Sequence, residues 1–459
     1  MKFDFINLLM NPFMLMFFAI GTGLIFGKLK FGKFSFGSSG ALFTGLVIGW
    51  AIYKYGGHIL AQGENAAGYE AAKTMMDNGI IDGNFLELSL IFFVAAIGLL
   101  AAKDMGVVIR KYGPKFVALA VIITFVGALG SFGCMKLVKS ASAYEFSGVY
   151  VGALTSSPGL GAALETAEDH AKAVAADYET STEAEKEHVL KTIGDDTLTA
   201  ENTKSLTPEQ QQKYVTNATG GVATGYAIAY PFGVIIVIFA VSFFAIIFRM
   251  DLKKEKERYK LEMNEARGMV KERNIPVSPF NMIAFAVTCV VGYLVGSIQI
   301  YLGPLGYFSL GATGGILIMS LVLGSIGKIG PLSFRMDHKV MGIVRDIALV
   351  FFLCIVGLKY GYVAINALTG SGVLLAVSAL GVGIAAMLVG FIVGRYVFKL
   401  NWVVLSGAIC GGMTSTPGLG AAVDALESDD PAAGYGATYP FALLCMIIFT
   451  IILNQLPIV

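Results

Sequence analysis

Charge is scarce in this chain of 459 residues: only 14% are Asp, Glu, Lys or Arg, against about a quarter in an ordinary soluble domain. The net charge is +1, which leaves no basic field for a nucleic-acid partner. The four histidines, His58, His170, His188 and His338, form no ligand pattern. The five cysteines, Cys134, Cys289, Cys354, Cys410 and Cys445, are scattered through apolar sequence with no C-x-x-C spacing. They imply no disulfide framework and read as packing residues. A Walker A phosphate loop is also missing, so any transport must run on gradients or exchange. No enzyme activity, cofactor or metal site is expected.

Hydrophobic residues make up 56% of the chain. They come in blocks close to the roughly 20 residues that cross a bilayer, near 12–27, 35–53, 84–101, 116–137, 220–248, 280–300, 307–325, 344–365, 371–394 and 436–454. Such a series excludes a soluble core and specifies an all-α polytopic membrane protein. The first block ends in "FGKLKFGK" without a small-residue cleavage site, so it reads as a retained helix rather than a signal peptide.

The chain repeats itself. "TSSPGLGAA" at 155–163 and "TSTPGLGAA" at 414–422 share eight of nine letters, and the same offset of 259 lays "LIFFVAAIGL" (90–99) over "LVFFLCIVGL" (349–358). "SFGSSG" (35–40) matches "SLGATG" (309–314), and "GYAIAYPFG" (225–233) matches "GYGATYPFA" (434–442) at an offset of 209. The motif order is the same in both halves; a long insertion after the first nonapeptide explains the change of offset. The expected divisions are a first membrane repeat over 1–248 with an insertion at 168–220, a charged linker over 249–279, and a second membrane repeat over 280–459.

Lysine and arginine favour the cytoplasmic side. One topology places 28–33, 103–115, the linker, 328–339 and 395–399 all inside. It gives five spans per half, so the second repeat is inverted, and each nonapeptide segment (146–167, 402–422) dips in and returns as a re-entrant hairpin. The insertion, with eleven acidic and five basic residues, then lies outside, with Thr207 and Pro208 opening a capped helix. A full span at 146–167 is the rival; it would put the basic linker outside.

A Thr-Ser-Thr-Pro-Gly run is poor helix. Irregular backbone at membrane depth is tolerated where it is buried in protein or lines a wet cavity. A helix restarting after the proline points its positive end at that cavity, which suits a carboxylate. Broken segments meeting between inverted repeats are a feature of secondary transporters. The paired "YPF" tyrosines, Tyr230 and Tyr439, are candidates to line the same space. Ionisable residues are almost missing from the middles of the spans, which argues against a proton pump.

The doubled "TS[ST]PGLGAA", the paired "YPF" and the two-fold permease plan together resemble the aspartate:alanine exchanger family of bacterial transporters, over nearly the whole chain. The resemblance implies a multi-pass protein of the bacterial inner membrane, a homodimeric antiporter for small amino acids or dicarboxylates. It implies substrate contacts at Thr155, Ser156, Ser157, Pro158 and Gly159, and at Thr414, Ser415, Thr416, Pro417 and Gly418. Hydroxyls and amides would hold carboxylates, prolines would break the backbone, and glycines would let the substrate approach it. The linker of about thirty residues is too short for the regulatory domains that many members carry between their halves. Hairpins entering from opposite faces suit an elevator-type motion, with rocking as the alternative. Cation-coupled (Na⁺ or H⁺) uptake of a small organic anion is the second functional reading, and a receptor built on the insertion the third.

Overall fold

A computed structural model describes residues 5–31, 34–138, 141–195, 197–268, 276–301, 307–308, 310–369 and 372–455. The first half contains α1 (Phe5–Leu9), α2 (Pro12–Gly27), α3 (Gly40–Ala61), α4 (Tyr69–Asn78), α5 (Gly83–Leu137), α6 (Ala143–Ala153), α7 (Ser157–Ala176), α8 (Glu183–Ile193) and α9 (Pro208–Ile247). After α10 (Leu252–Gly268) in the linker come α11 (Met282–Gly296), α12 (Gly311–Ile326), α13 (His338–Thr369), α14 (Val373–Ile392), α15 (Trp402–Gly412), α16 (Thr416–Leu426) and α17 (Pro431–Gln455). Three antiparallel ladders of two residues per strand, such as Lys30–Phe31 with Phe34–Ser35, lie between helices. Residues 269–275 of the linker and the start of the "SLGATG" motif at 309 lie outside the described residues.

Six stretches among the described residues are long and apolar enough to cross a membrane: Gly83–Ala102 and Gly106–Leu137 within α5, then α9, α13, α14 extended to Val397, and α17. The other four apolar blocks are also helical. α2, α11 and α12 are 15 or 16 residues long, and α3 has 22 but carries Tyr53, Lys54, Tyr55 and His58. The segment expected on the inside, 103–115, is itself helical and lies within α5, with the two span-length stretches separated between Ala102 and Gly106. Phe17, Phe18 and Ile25 on α2, Val47 on α3 and Ile283 and Leu294 on α11 stand exposed, as a lipid-facing surface requires.

The interior is built on close helix crossings at small residues. A Cβ on Gly357 or Gly361 of α13 would strike the carbonyls of Leu42 or Leu46 on α3. The two helices therefore run in the same direction. The matching pair, α12 with the first stretch of α5, crosses the same way, with Gly98 against Ser320 and Gly324 against Ala102. Each half thus packs its second long element on the third of the other half.

Each nonapeptide lies where the chain doubles back. α6 runs alongside α9 in the same direction, with Gly225 against Glu145 and Gly233 against Ala153. α7 then returns, because the Tyr144 hydroxyl at the start of α6 meets His170 Nδ1 near the end of α7 at 3.1 Å. α15 runs beside α17 likewise, with Gly407 against Pro431 and Gly411 against Tyr435.

The insertion is an extension of the main core. Thr207 and Gln210 form a capping box with Pro208 in the first turn, and the helix they open continues unbroken through α9. Tyr178, Val189, Ile193 and Tyr214 are buried with the rest of the interior. The linker helix is also docked. Glu255 on α10 is 8% exposed; it pairs with Arg395 at 2.6 Å and accepts the amide of Trp402 at 3.0 Å. Burial by itself would raise this carboxyl's pKa; Arg395 and the Trp402 amide outweigh it and hold the carboxyl below its usual range. Glu262 takes a hydrogen bond from Tyr112 at 2.7 Å. The linker thereby fastens the base of the second hairpin to α5.

Candidate functional site

The two nonapeptides meet. α6 ends at Ala153 with Leu154 as its C-cap, and Thr155 takes a left-handed conformation with φ 56°; Thr414 does the same with φ 49° after α15. Behind each, amides close on the helix end: Thr155 N to Gly152 O and Ser156 N to Val151 O, and in the second copy Thr414 N to Gly411 O and Ser415 N to Cys410 O. This is a Schellman closure, a place where glycine is the usual choice. A β-branched residue there is an outlier that costs on the order of 1–2 kcal/mol, and it occurs twice at matching positions.

The hydroxyls offset that cost. Thr155 Oγ1 donates to Met413 O at 3.2 Å, and Thr414 Oγ1 donates to Leu154 O at 2.9 Å. Each hairpin tip thus satisfies a carbonyl at the last turn of the other. The next residue restarts the helix. Ser156 Oγ accepts from Gly159 N at 3.0 Å, and Ser415 Oγ accepts from Gly418 N at 3.2 Å, the usual N-cap arrangement. Pro158 and Pro417 fall in the first turns of α7 and α16, where a missing amide costs nothing. Two helix N-termini therefore begin beside each other, and 151–160 and 410–420 contain no charged residue. Positive helix ends without nearby acids can receive an anion.

Thr155, Ser156, Thr414 and Ser415 are all buried, at 5%, 1%, 4% and 0% exposure. Their hydroxyls are engaged in the lock and the caps. Thr416 is partly exposed and bonds the Tyr435 hydroxyl at 3.2 Å. The side chain of its counterpart in the first copy, Ser157, lies outside the described part of the structure, as does that of Pro158. Pro417 is buried within the second tip. Gly159 and Gly418 have no left-handed backbone; a Cβ at Gly159 would meet Ser156 Oγ at 2.7 Å, and one at Gly418 would overlap Val237 Cγ1. The conformational strain thus sits on the threonines, and these glycines make room for neighbours.

The "YPF" tyrosines stand behind the tips. Tyr230 packs on Tyr226 and Tyr360 with ring centres 5.3 and 4.9 Å apart. Tyr439 stacks on Tyr435 at 5.3 Å. Direct contact with a tip residue is made by Tyr435, four residues before Tyr439. Below the second tip lies a cleft of about 640 Å³, lined by Ser38, Arg345, Asp346, Asp424, Glu427 and Asp429 among others. Asp424 accepts the Ser38 amide at 3.2 Å, and Arg345 pairs with Asp346 at 2.8 Å and with Asp429. Glu165, the counterpart of Asp424, is exposed on α7.

Sequence reasoning placed the nonapeptides together but missed Met413, Leu154 and Tyr360 as contacts. The four-residue spacing of Tyr435 from Tyr439 puts both on one helix face, and Tyr435 reaches the tip at Thr416.

A family model described as a predicted permease membrane region matches residues 15–246 and again 284–455. An uncharacterized transporter of Bacteroides thetaiotaomicron is 36% identical over 179 residues, 39% of this chain and 34% of that protein. One from Bacteroides fragilis is 37% identical over 174 residues, 38% of this chain and 32% of the relative. One from Desulfotalea psychrophila is 31% identical over 171 residues, 37% of this chain and 32% of the relative. The matches span about a third of the length of each of these relatives.

Proposed function

The chain belongs to the aspartate–alanine exchanger family of permeases, and from that premise we propose that it is a secondary antiporter of the bacterial inner membrane. It exchanges small carboxylate-bearing solutes, amino acids or dicarboxylates. The observation that carries the proposal is the reciprocal threonine lock, Thr155 to Met413 O and Thr414 to Leu154 O, which brings two capped helix starts to one point. The repeats are taken as inverted, with five spans and one re-entrant hairpin each. Inversion reverses every span, so the second span of one half should run with the third of the other; the shared direction of α3 and α13 supports this.

The substrate carboxylate is held at the starts of α7 and α16, with Thr416 and the Ser157 position as its first hydroxyl contacts and Tyr435 beside them. Tyr230 and Tyr439 support this wall. Opening the lock frees Thr155, Thr414 and the cap serines for the substrate. The hairpins, α9 and α17 move as one block against a scaffold of the crossing helices, which forms the homodimer interface. Counterflow in proteoliposomes tests the function: labelled acid should enter only vesicles preloaded with an exchangeable acid. Entry that follows an imposed Na⁺ or H⁺ gradient into empty vesicles would favour the cation-coupled reading instead.

A further inference from the structure

Four buried oxygens near the first hairpin make no hydrogen bond to the described residues: Ser131 Oγ on α5, Ser147 Oγ on α6, and Thr450 Oγ1 and Asn454 Oδ1 on α17. All four residues are 0–1% exposed. Other buried helix hydroxyls behave differently. Thr124, Thr288, Ser320, Ser406 and Thr438 each donate to a carbonyl three or four residues earlier. Ser131, Ser147 and Thr450 have the same option within their own helices and do not take it.

Contacts between the helices bring the four to a similar depth. Gly127 lies against Tyr150 and Leu154, and Tyr150 donates to Thr124 O. α5 and α6 run oppositely here, so one turn beyond Gly127 on α5 comes level with the stretch 147–150 of α6, where Ser147 shares the face of Tyr150 and Leu154. The Tyr144–His170 contact sets Thr166 of α7 at the depth of Ser147. Asn454 Nδ2 donates to Thr166 at 2.8 Å, so Asn454 stands at that depth with Oδ1 left over. Thr450 is one turn away on the same face of α17, between Asn454 and Met446, whose sulfur meets Thr414 at the tip.

The second half lacks this cluster. The repeat offsets place Gly390, Val241 and Ala245 where Ser131, Thr450 and Asn454 stand, and Ser406, the match of Ser147, bonds back to Val403 at 2.9 Å. Both halves build the same helices, so the fold does not require these oxygens.

Unsatisfied buried oxygens are costly; three hydroxyls that turn their protons outward, with the amide oxygen of Asn454, offer lone pairs to a cation. Hard cations take oxygen ligands, and divalent ones are held by carboxylates; among these four residues there is none. We infer that Ser131, Ser147, Thr450 and Asn454 form a site for a monovalent alkali cation, Na⁺. The bound ion ties a leg of the first hairpin to α5 and α17, and so holds the hairpin in place whichever acid is carried.

The test is thermal unfolding of the purified full-length protein in NaCl, KCl and choline chloride at equal ionic strength. Na⁺ should raise the unfolding temperature in a saturable way, beyond K⁺ and choline. Thr450→Val, nearly isosteric, and Ser147→Ala should each lose that Na⁺-specific rise, whereas Ser406→Ala should keep it. Equal effects of the three salts, or an unchanged Na⁺ rise in both Thr450→Val and Ser147→Ala, overturn the site. The readout needs no transport, so it separates from the exchange proposal: exchange without a Na⁺ effect removes only the cation site, and a Na⁺ effect without exchange removes only the antiporter.

Discussion

Replacing Gly418 with alanine separates a packing role from a substrate-access role for the second hairpin tip. A Cβ at this position would overlap Val237 Cγ1 on α9 and stand 3.1 Å from both Cys410 Sγ and Ser415 Oγ. The last two contacts are tight but yield with shifts of a few tenths of an ångström. The overlap with Val237 does not, because Val237 is fully buried. Overpacking of this kind costs about 1–3 kcal/mol. Val237→Ala by itself removes two methyl groups, at about 0.8 kcal/mol each before any cavity cost. In the double variant the new methyl enters the space the valine vacated. The double variant should therefore be more stable than the sum of the single effects by about 1–2 kcal/mol, as neighbours in contact show. Unfolding midpoints of the four proteins, with counterflow rates alongside, give the cycle. Strict additivity would refute the reasoning and return Gly418 to a role in substrate approach, which Val237→Ala has no means to rescue.

Thr155→Val and Thr414→Val should each lower stability by about 1–3 kcal/mol, since each leaves a buried carbonyl without its donor; the double variant should show coupling in a cycle, and independence of the two would dissolve the lock. Glu255→Ala should destabilise the protein by roughly 2–3 kcal/mol through loss of charge-assisted bonds to Arg395 and Trp402. Because the folded-state pKa of Glu255 is depressed, its contribution is complete above the unfolded carboxylate value of about 4.3 and fades as pH falls through the folded value. Unfolding curves of wild type and variant should thus converge in acid and separate towards neutral pH; a constant gap is the contrary result. Single cysteines in 249–268 should label only from the cytoplasmic side and those in 180–194 only from outside; labelling of both from one side removes the inverted topology. Distances measured in inward and outward states should show Pro158 and Pro417 shifting together along the membrane normal relative to the dimer interface, and constant depth would favour rocking.

The apolar blocks were legible because the bilayer imposes their length, and the hairpin tips because one unusual nonapeptide is written twice. The way the tips join was not. The lock links residues 258 and 260 positions apart, and it places threonine in a conformation that local propensity assigns to glycine. The run "KKEKER" reads as a solvated linker from composition alone; Glu255 is buried only because Arg395 and the amide of Trp402 come to it from the second half. The helical course of 103–115 hides in the same way, since charges that mark the edge of a span are equally at home on a helix surface. The four unbonded oxygens look like ordinary helix residues until the register of α5, α6 and α17 brings them level.

Substrate protection at the hairpin tip bears most directly on the proposed site. In a cysteine-free background that retains counterflow, Thr416→Cys places a thiol at the one partly exposed hydroxyl position among the described side chains of the tips, and Glu427→Cys supplies an exposed control on the same hairpin. The acid that supports counterflow should slow alkylation at 416 in proportion to its occupancy and leave 427 unchanged. Undiminished alkylation at 416 at saturating acid, in vesicles that still exchange it, would place the substrate elsewhere and contradict a site at the meeting of the two hairpins.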